Sequence, residues 1–128
     1  MSAKENDLLR IQEMYDIATQ TMSQIAELEF NQERFVHAQS VQDQLIAEGL
    51  ANRVFRITEE GGKLSELFKE YGFELREMSG LRNRLAHAYG TIDMEIVWNV
   101  LETEFPKVIE GCERYCDDNG ITLRPTWG

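Results

Sequence analysis

Leu8, Ile11, Tyr15, Ala18, Met22 and Ile25 recur at alternating steps of three and four. Only a helix brings such positions onto one side. The stripe is narrow, like the seam of a bundle or coiled coil, so another helix must cover it. This spacing predicts a first helix over Lys4–Leu28.

The rest of the chain repeats the pattern. Asn31 offers a start for the next helix, because its side chain can accept from free backbone N–H groups. A second long helical region is predicted over Gln32–Tyr71, with Ala38, Val41, Leu45, Val54, Ile57, Leu64 and Phe68 on its inner face. Gly49 and the pair Gly61-Gly62 weaken it by roughly 1 kcal/mol each. Each marks a kink or a close helix contact, and Gly49 a break into two helices. Tyr71-Gly72 reads as a stop. A third helix is predicted over Phe73–Tyr89, with Gly90 where a C-terminal cap belongs. Thr91 or Asp93 caps the last helix, Met94–Cys116. Its apolar side is Ile96, Val97, Val100, Leu101, Phe105, Val108, Ile109 and Cys112, and Pro106 should kink it. The tail, residues 117–128, holds Gly120 and Pro125 and is expected to be extended. No strand pattern or repeat stands out. The expected fold class is all-α, an antiparallel bundle of four to five helices in a single domain, residues 1–128.

Composition narrows the function classes. The net charge is −10, which disfavours a broad nucleic-acid footprint. No run approaches the ~18 apolar residues of a membrane span. The polar start MSAKENDLL lacks the apolar core of a signal peptide, so the expected location is cytoplasmic. The two cysteines, Cys112 and Cys116, stand four apart on one helical face. Metal and redox motifs want two intervening residues and further ligands, so helix packing is expected instead. No metal and no cofactor is implied.

One octapeptide departs from this background. RNRLAHAY, Arg82–Tyr89, lies in a window, Leu81–Ile92, that holds two arginines and no acid. Any RNA contact should therefore be local to this basic island or shared between subunits. Arginine grips phosphate through a planar fork, and histidine moves protons near neutral pH. Together these suffice for metal-free phosphodiester chemistry. On a helix Asn83 and His87 are near neighbours, and Arg82 shares a face with Tyr89. Arg82 and His87 lie about 140° apart, so one straight helix does not aim both at one phosphate. Loosening at Gly90, or a second subunit, would be needed. The blander alternative stays open, since cations suit a helix C-terminus for electrostatic reasons alone. His37, among polar residues, reads as a surface histidine, and Tyr89 alone would read as a half-buried packing residue.

Arg82, four intervening residues, His87, one residue, then Tyr89 matches the R-x4-H-x-Y signature of the HepT family, small all-helical toxins of the HEPN superfamily. Asn83 fits the polar residue that usually follows the motif arginine. The surrounding run EMSGLRNRLAHAYGTIDMEIVW, Glu77–Trp98, also resembles the family. Ile57–Ser65 resembles its upstream helix, with departures at Thr58 and at Gly61-Gly62. The similarity is strong over Ile57–Tyr115 and rests on helix pattern alone in the first half.

The resemblance implies a HEPN-like homodimer whose cleft lies between two motif helices, which would resolve the 140° problem. It implies a metal-independent endoribonuclease toxin acting on RNA. Arg82 would hold the scissile phosphate, His87 would act as general base or acid, and Asn83 would orient either. Arg84 lies outside the signature and would add phosphate affinity or a salt bridge. The implied partner is a minimal nucleotidyltransferase antitoxin that transfers AMP to Tyr89. Two other readings remain: a non-catalytic nucleotide- or substrate-binding partner subunit of a nucleotidyltransferase, and a purely structural helical dimer.

Overall fold

The computed structural model describes residues 3–73 and 93–128, and among these every regular element is helical. Helix α1 spans Ala3–Leu28. Its stripe does face the core, but Met14, Ile17 and Thr21 are buried as well. The face is wider than a seam because α1 packs against two helices, α3 (Val41–Gly61) and α5 (Phe105–Asp118).

The expected long second helix is instead three pieces. Helix α2 is only Gln32–Val36, with Asn31 as its cap accepting from the Arg34 backbone N–H at 2.9 Å. Helix α3 starts anew after Ser40, whose hydroxyl accepts from the Asp43 backbone N–H at 3.0 Å. The break therefore falls at His37–Ser40, and α3 runs unbroken through Gly49. Arg34 staples the break, donating from Nε and Nη2 to the Asp43 carboxylate at 3.2 and 2.8 Å. Within α3, Leu45 and Val54 are nine residues apart and so stand about 180° apart, on opposite faces. Ala47, Leu50, Val54 and Ile57 are buried, whereas Val41 and Leu45, expected inside, are 73% and 65% exposed. His37 is exposed, as expected.

The glycine pair ends α3, with the Gly62 N–H donating to Thr58. A 3₁₀ helix, Glu66–Tyr71, follows and stops at Gly72, whose φ of 87° is left-handed. The last helical region, predicted as one helix, is α4 (Met94–Asn99), a π-helical turn (Val100–Glu104) and α5. The π turn sits just before Pro106, which lacks the N–H that an α-helical turn requires. Trp98 is buried, while Ile96, expected inside, is 41% exposed.

Gly120 takes a left-handed φ of 66°, and the Ile121 N–H reaches back to the Cys116 carbonyl at 2.8 Å. That capping turn sends the tail back across α1. There the Thr126 N–H donates to Asp16 at 2.9 Å and the Trp127 indole N–H donates to Thr19 Oγ1 at 2.8 Å.

Candidate functional site

Arg82, Asn83, Arg84, His87 and Tyr89 lie outside the described residues, as do nearly all of the predicted third helix, its Gly90 cap and Thr91. The structure describes what holds the chain on either side of them. On the far side Asp93 caps α4, its carboxylate accepting from the backbone N–H groups of Glu95 at 3.0 Å and Ile96 at 3.4 Å. Helix α4 is seated on α2 through Trp98 and Phe35, with ring centroids 5.3 Å apart.

On the near side the chain is pinned more tightly. Asp7, on the first turns of α1, is 6% exposed. It accepts from the Ser65 N–H at 3.3 Å and from the Ser65 hydroxyl at 2.5 Å. A buried carboxylate is tolerable only with such donors. Ser65 stands immediately before the 3₁₀ helix, so Asp7 sets where that helix begins. Phe68 then packs on Tyr115 and Phe73, with centroids 4.3 and 6.1 Å apart. Burial first, and then the charge of Asp7, push the Tyr115 phenol up from its ordinary pKa. Tyr71 stands on edge to the Tyr115 ring and donates its hydroxyl to Asp118 at 2.9 Å. That hydrogen bond holds the proton on Tyr71, raising its pKa.

Gly111 completes this anchor. A Cβ there would lie 2.5 Å from the Tyr71 carbonyl oxygen and 3.2 Å from the Phe73 ring. Only glycine lets the 3₁₀ strand of chain come so close to α5. Asp7 and Gly111 are the residues that sequence reasoning missed. An acid in a first helical turn is common for dipole reasons, and a single glycine in a helix has no periodic signal.

The cysteines behave as packing residues. Both are free and buried, and burial raises both thiol pKa values. A protonated thiol is a poor nucleophile and metal ligand. Among the described residues no group of three or more His, Cys, Asp or Glu side chains is placed to hold a metal ion. No described helix is long and apolar enough to cross a membrane.

The octapeptide and most of both anchors, though not Asp7 or Asp118, fall within one further finding. A protein-family profile described as "Ribonuclease HepT-like" matches residues 8–115. The chain belongs to the HepT-like ribonuclease family. No curated protein and no solved structure matches it. For a HepT-like chain the match extends well upstream of Ile57, through the half that helix pattern alone had suggested. It stops at Tyr115, so the tail that crosses α1 lies beyond the family core.

Proposed function

We propose that this HepT-like chain is a metal-independent endoribonuclease toxin whose activity is switched off by AMP transfer to Tyr89. The observation that carries the reading is the family match over residues 8–115, which contains Arg82, Asn83, His87 and Tyr89 in the signature spacing. In this mechanism His87 removes the proton from an RNA 2′-hydroxyl. The freed oxygen attacks the adjacent phosphorus, the bond to the 5′ oxygen breaks, and that oxygen takes up a proton. Arg82 balances the charge that grows on the phosphoryl oxygens, and Asn83 orients the reacting groups. Arg84 adds attraction for the neighbouring phosphate. The residues outside the described part, 74–92, carry three arginines against two glutamates, in a chain that is otherwise strongly acidic. That local balance suits a short RNA contact. The active unit is a homodimer, because two motif helices related by a twofold axis bring an Arg82 and a His87 to one phosphate.

The other tyrosines support Tyr89 as the acceptor. Modification by a minimal nucleotidyltransferase needs a phenol oxygen free to attack the α-phosphate of ATP and expel pyrophosphate. Tyr15 and Tyr115 are buried. Tyr71 is committed to Asp118. An adenylyl group on Tyr89 brings a negative phosphodiester and a nucleoside into the basic island, which repels RNA and fills its space.

Expression of the chain alone is the test. The intact chain arrests growth and cuts RNA in the presence of EDTA, whereas His87→Ala and Arg82→Ala fold and do neither. Activity that vanishes in EDTA and returns with magnesium would overturn the mechanism. On co-expression with a cognate nucleotidyltransferase, intact-mass spectrometry should find adenylyl groups on Tyr89. Tyr89→Phe should cut RNA and escape neutralisation. An adduct mapped to Tyr71 would sink the switch.

A further inference from the structure

The last turns of α1 and the first half of α3 do not close on each other. Between them lies a half-open groove of about 430 Å³, walled by Ile25, Leu28, Phe30, Ile46 and Leu50, with Arg53 at one end. Leu28 on its edge is 45% exposed. The apolar surface continues along α3 through Leu45 and Val41, one and two turns before Gly49. That gives roughly 12 Å of exposed apolar helix face at the helical rise per residue, beyond the groove itself. Such a contiguous patch is the mark of a protein contact more than of a small ligand.

Gly49 answers no packing demand of the chain itself, and Arg53 has hydrogen bonds but no opposite charge. A Cβ at Gly49 would meet no atom within 4 Å, so no internal contact asks for glycine there. Its missing side chain keeps the groove floor open to an approaching backbone or side chain. Arg10, Arg34, Arg56 and Arg114 each pair with a carboxylate. Arg53 and the exposed Arg124 of the tail have none among the described residues. Arg53 Nη1 donates to Thr21 Oγ1 at 3.2 Å and to Gln24 Oε1, both neutral. Burial, then repulsion from Arg56, lowers its pKa, as happens to a cation short of compensating charge. Glu27 also lines the groove and is exposed.

We propose that this groove docks an amphipathic helix of a partner protein, with an aliphatic side chain over Gly49 and a carboxylate on Arg53. A lysine or arginine of the same helix faces Glu27. The Arg53 guanidinium, with only neutral partners beside an apolar wall, favours a partner helix that carries a carboxylate, and a second copy is the other occupant that the experiment separates. The inference concerns a surface built from α1, α3 and Phe30 in the link after α1, and does not depend on RNA cleavage.

The experiment titrates the isotopically labelled full chain with an amide-capped, alanine-based peptide of about 15 residues, long enough to form helix. Its probe face carries leucines at i, i+4 and i+7, one glutamate and one lysine. Saturable shifts at Leu28, Leu45, Gly49 and Arg53 are expected. Replacing the peptide glutamate by glutamine should weaken binding about tenfold, the size of one charged hydrogen bond. Arg53→Gln should weaken the glutamate peptide to the level of the glutamine peptide. Gly49→Leu meets open space, so it should fold normally, as checked by circular dichroism, and lose the peptide. Equal affinity for the two peptides, binding that survives Gly49→Leu, or no saturable shift would overturn the proposal. So would a self-association, seen by light scattering, that Leu45→Glu abolishes while the peptide fails to bind.

Discussion

Gly111 and Gly49 both sit inside helices, and their surroundings are opposite. Around Gly111 the Tyr71 carbonyl and the Phe73 ring crowd against the backbone. The neighbouring carboxylate, Asp7, is matched to two donors of Ser65. Around Gly49 the space is empty, the nearby leucine and valine face solvent, and a guanidinium has only neutral partners. One end of the bundle is complete within the chain, and it is the end from which the octapeptide segment departs. The other end is built as though something else finishes it. The same residue type therefore answers two demands: close approach inside the fold, and access from outside it.

The sharpest break in this contrast comes from filling each glycine. Gly111→Val should cost about 3 kcal/mol or more, since a backbone oxygen cannot yield as a flexible side chain does. Chemical denaturation would show it, and a loss under 1 kcal/mol would mean the approach to Tyr71 is looser than 2.5 Å implies. Asp7→Ala should cost roughly 1–3 kcal/mol, because it strands the part-buried Ser65 N–H. Ser65→Ala, which keeps that N–H paired, should cost less. If the two variants lose equal stability, the backbone half of the clasp is unimportant. Gly49→Ala should do the reverse and stabilise α3 by up to about 1 kcal/mol, through propensity alone. A destabilised Gly49→Ala would show that the groove floor is already occupied.

The smallest effect concerns the exposed staple at the α2–α3 break. The Arg34 hydrogen bonds hold the Asp43 carboxyl below its usual range. A group with a lowered folded-state pKa contributes above its unfolded value and loses that contribution as pH falls through the folded one. Asp43→Asn should therefore have a slightly lower Tm than the parent at neutral pH. The gap should close in acid, below about pH 4. A gap that persists there would assign the effect to the helix cap instead.

These residues also show what was legible in the sequence. The α1 stripe was read correctly because a face that packs on two helices still includes the narrow seam. The inner face of α3 was misread because Val41 and Leu45 were grouped with Val54, although nine residues at about 100° each place Leu45 about 180° from Val54. Counted strictly, the period separates the two sets. The cue that was present is Ser40 followed three residues later by Asp43, a start signal of the capping-box kind. Pro106 announced an interruption but not its form, since a π turn absorbs the missing N–H without a new helix start. The candidate residues Arg82, His87 and Tyr89 stood out by their spacing, and the family match spans their positions. Their supports, Asp7 and Gly111, act singly and across long separations, where no pattern accumulates.

Those separations carry a consequence for how the protein is made. The Cys112 thiol contacts the Ile11 carbonyl across 101 positions, and α5 is the wall on which both α1 and the 3₁₀ turn rest. Contacts this distant in the chain close late and slow folding relative to a bundle of neighbouring helices. A fragment released from the ribosome at Glu104 already contains Arg82, His87 and Tyr89. It lacks Gly111 and Tyr115, against which Phe68 and Phe73 are seated. Prematurely ended synthesis thus yields chains that carry the octapeptide without the packed elements that flank it.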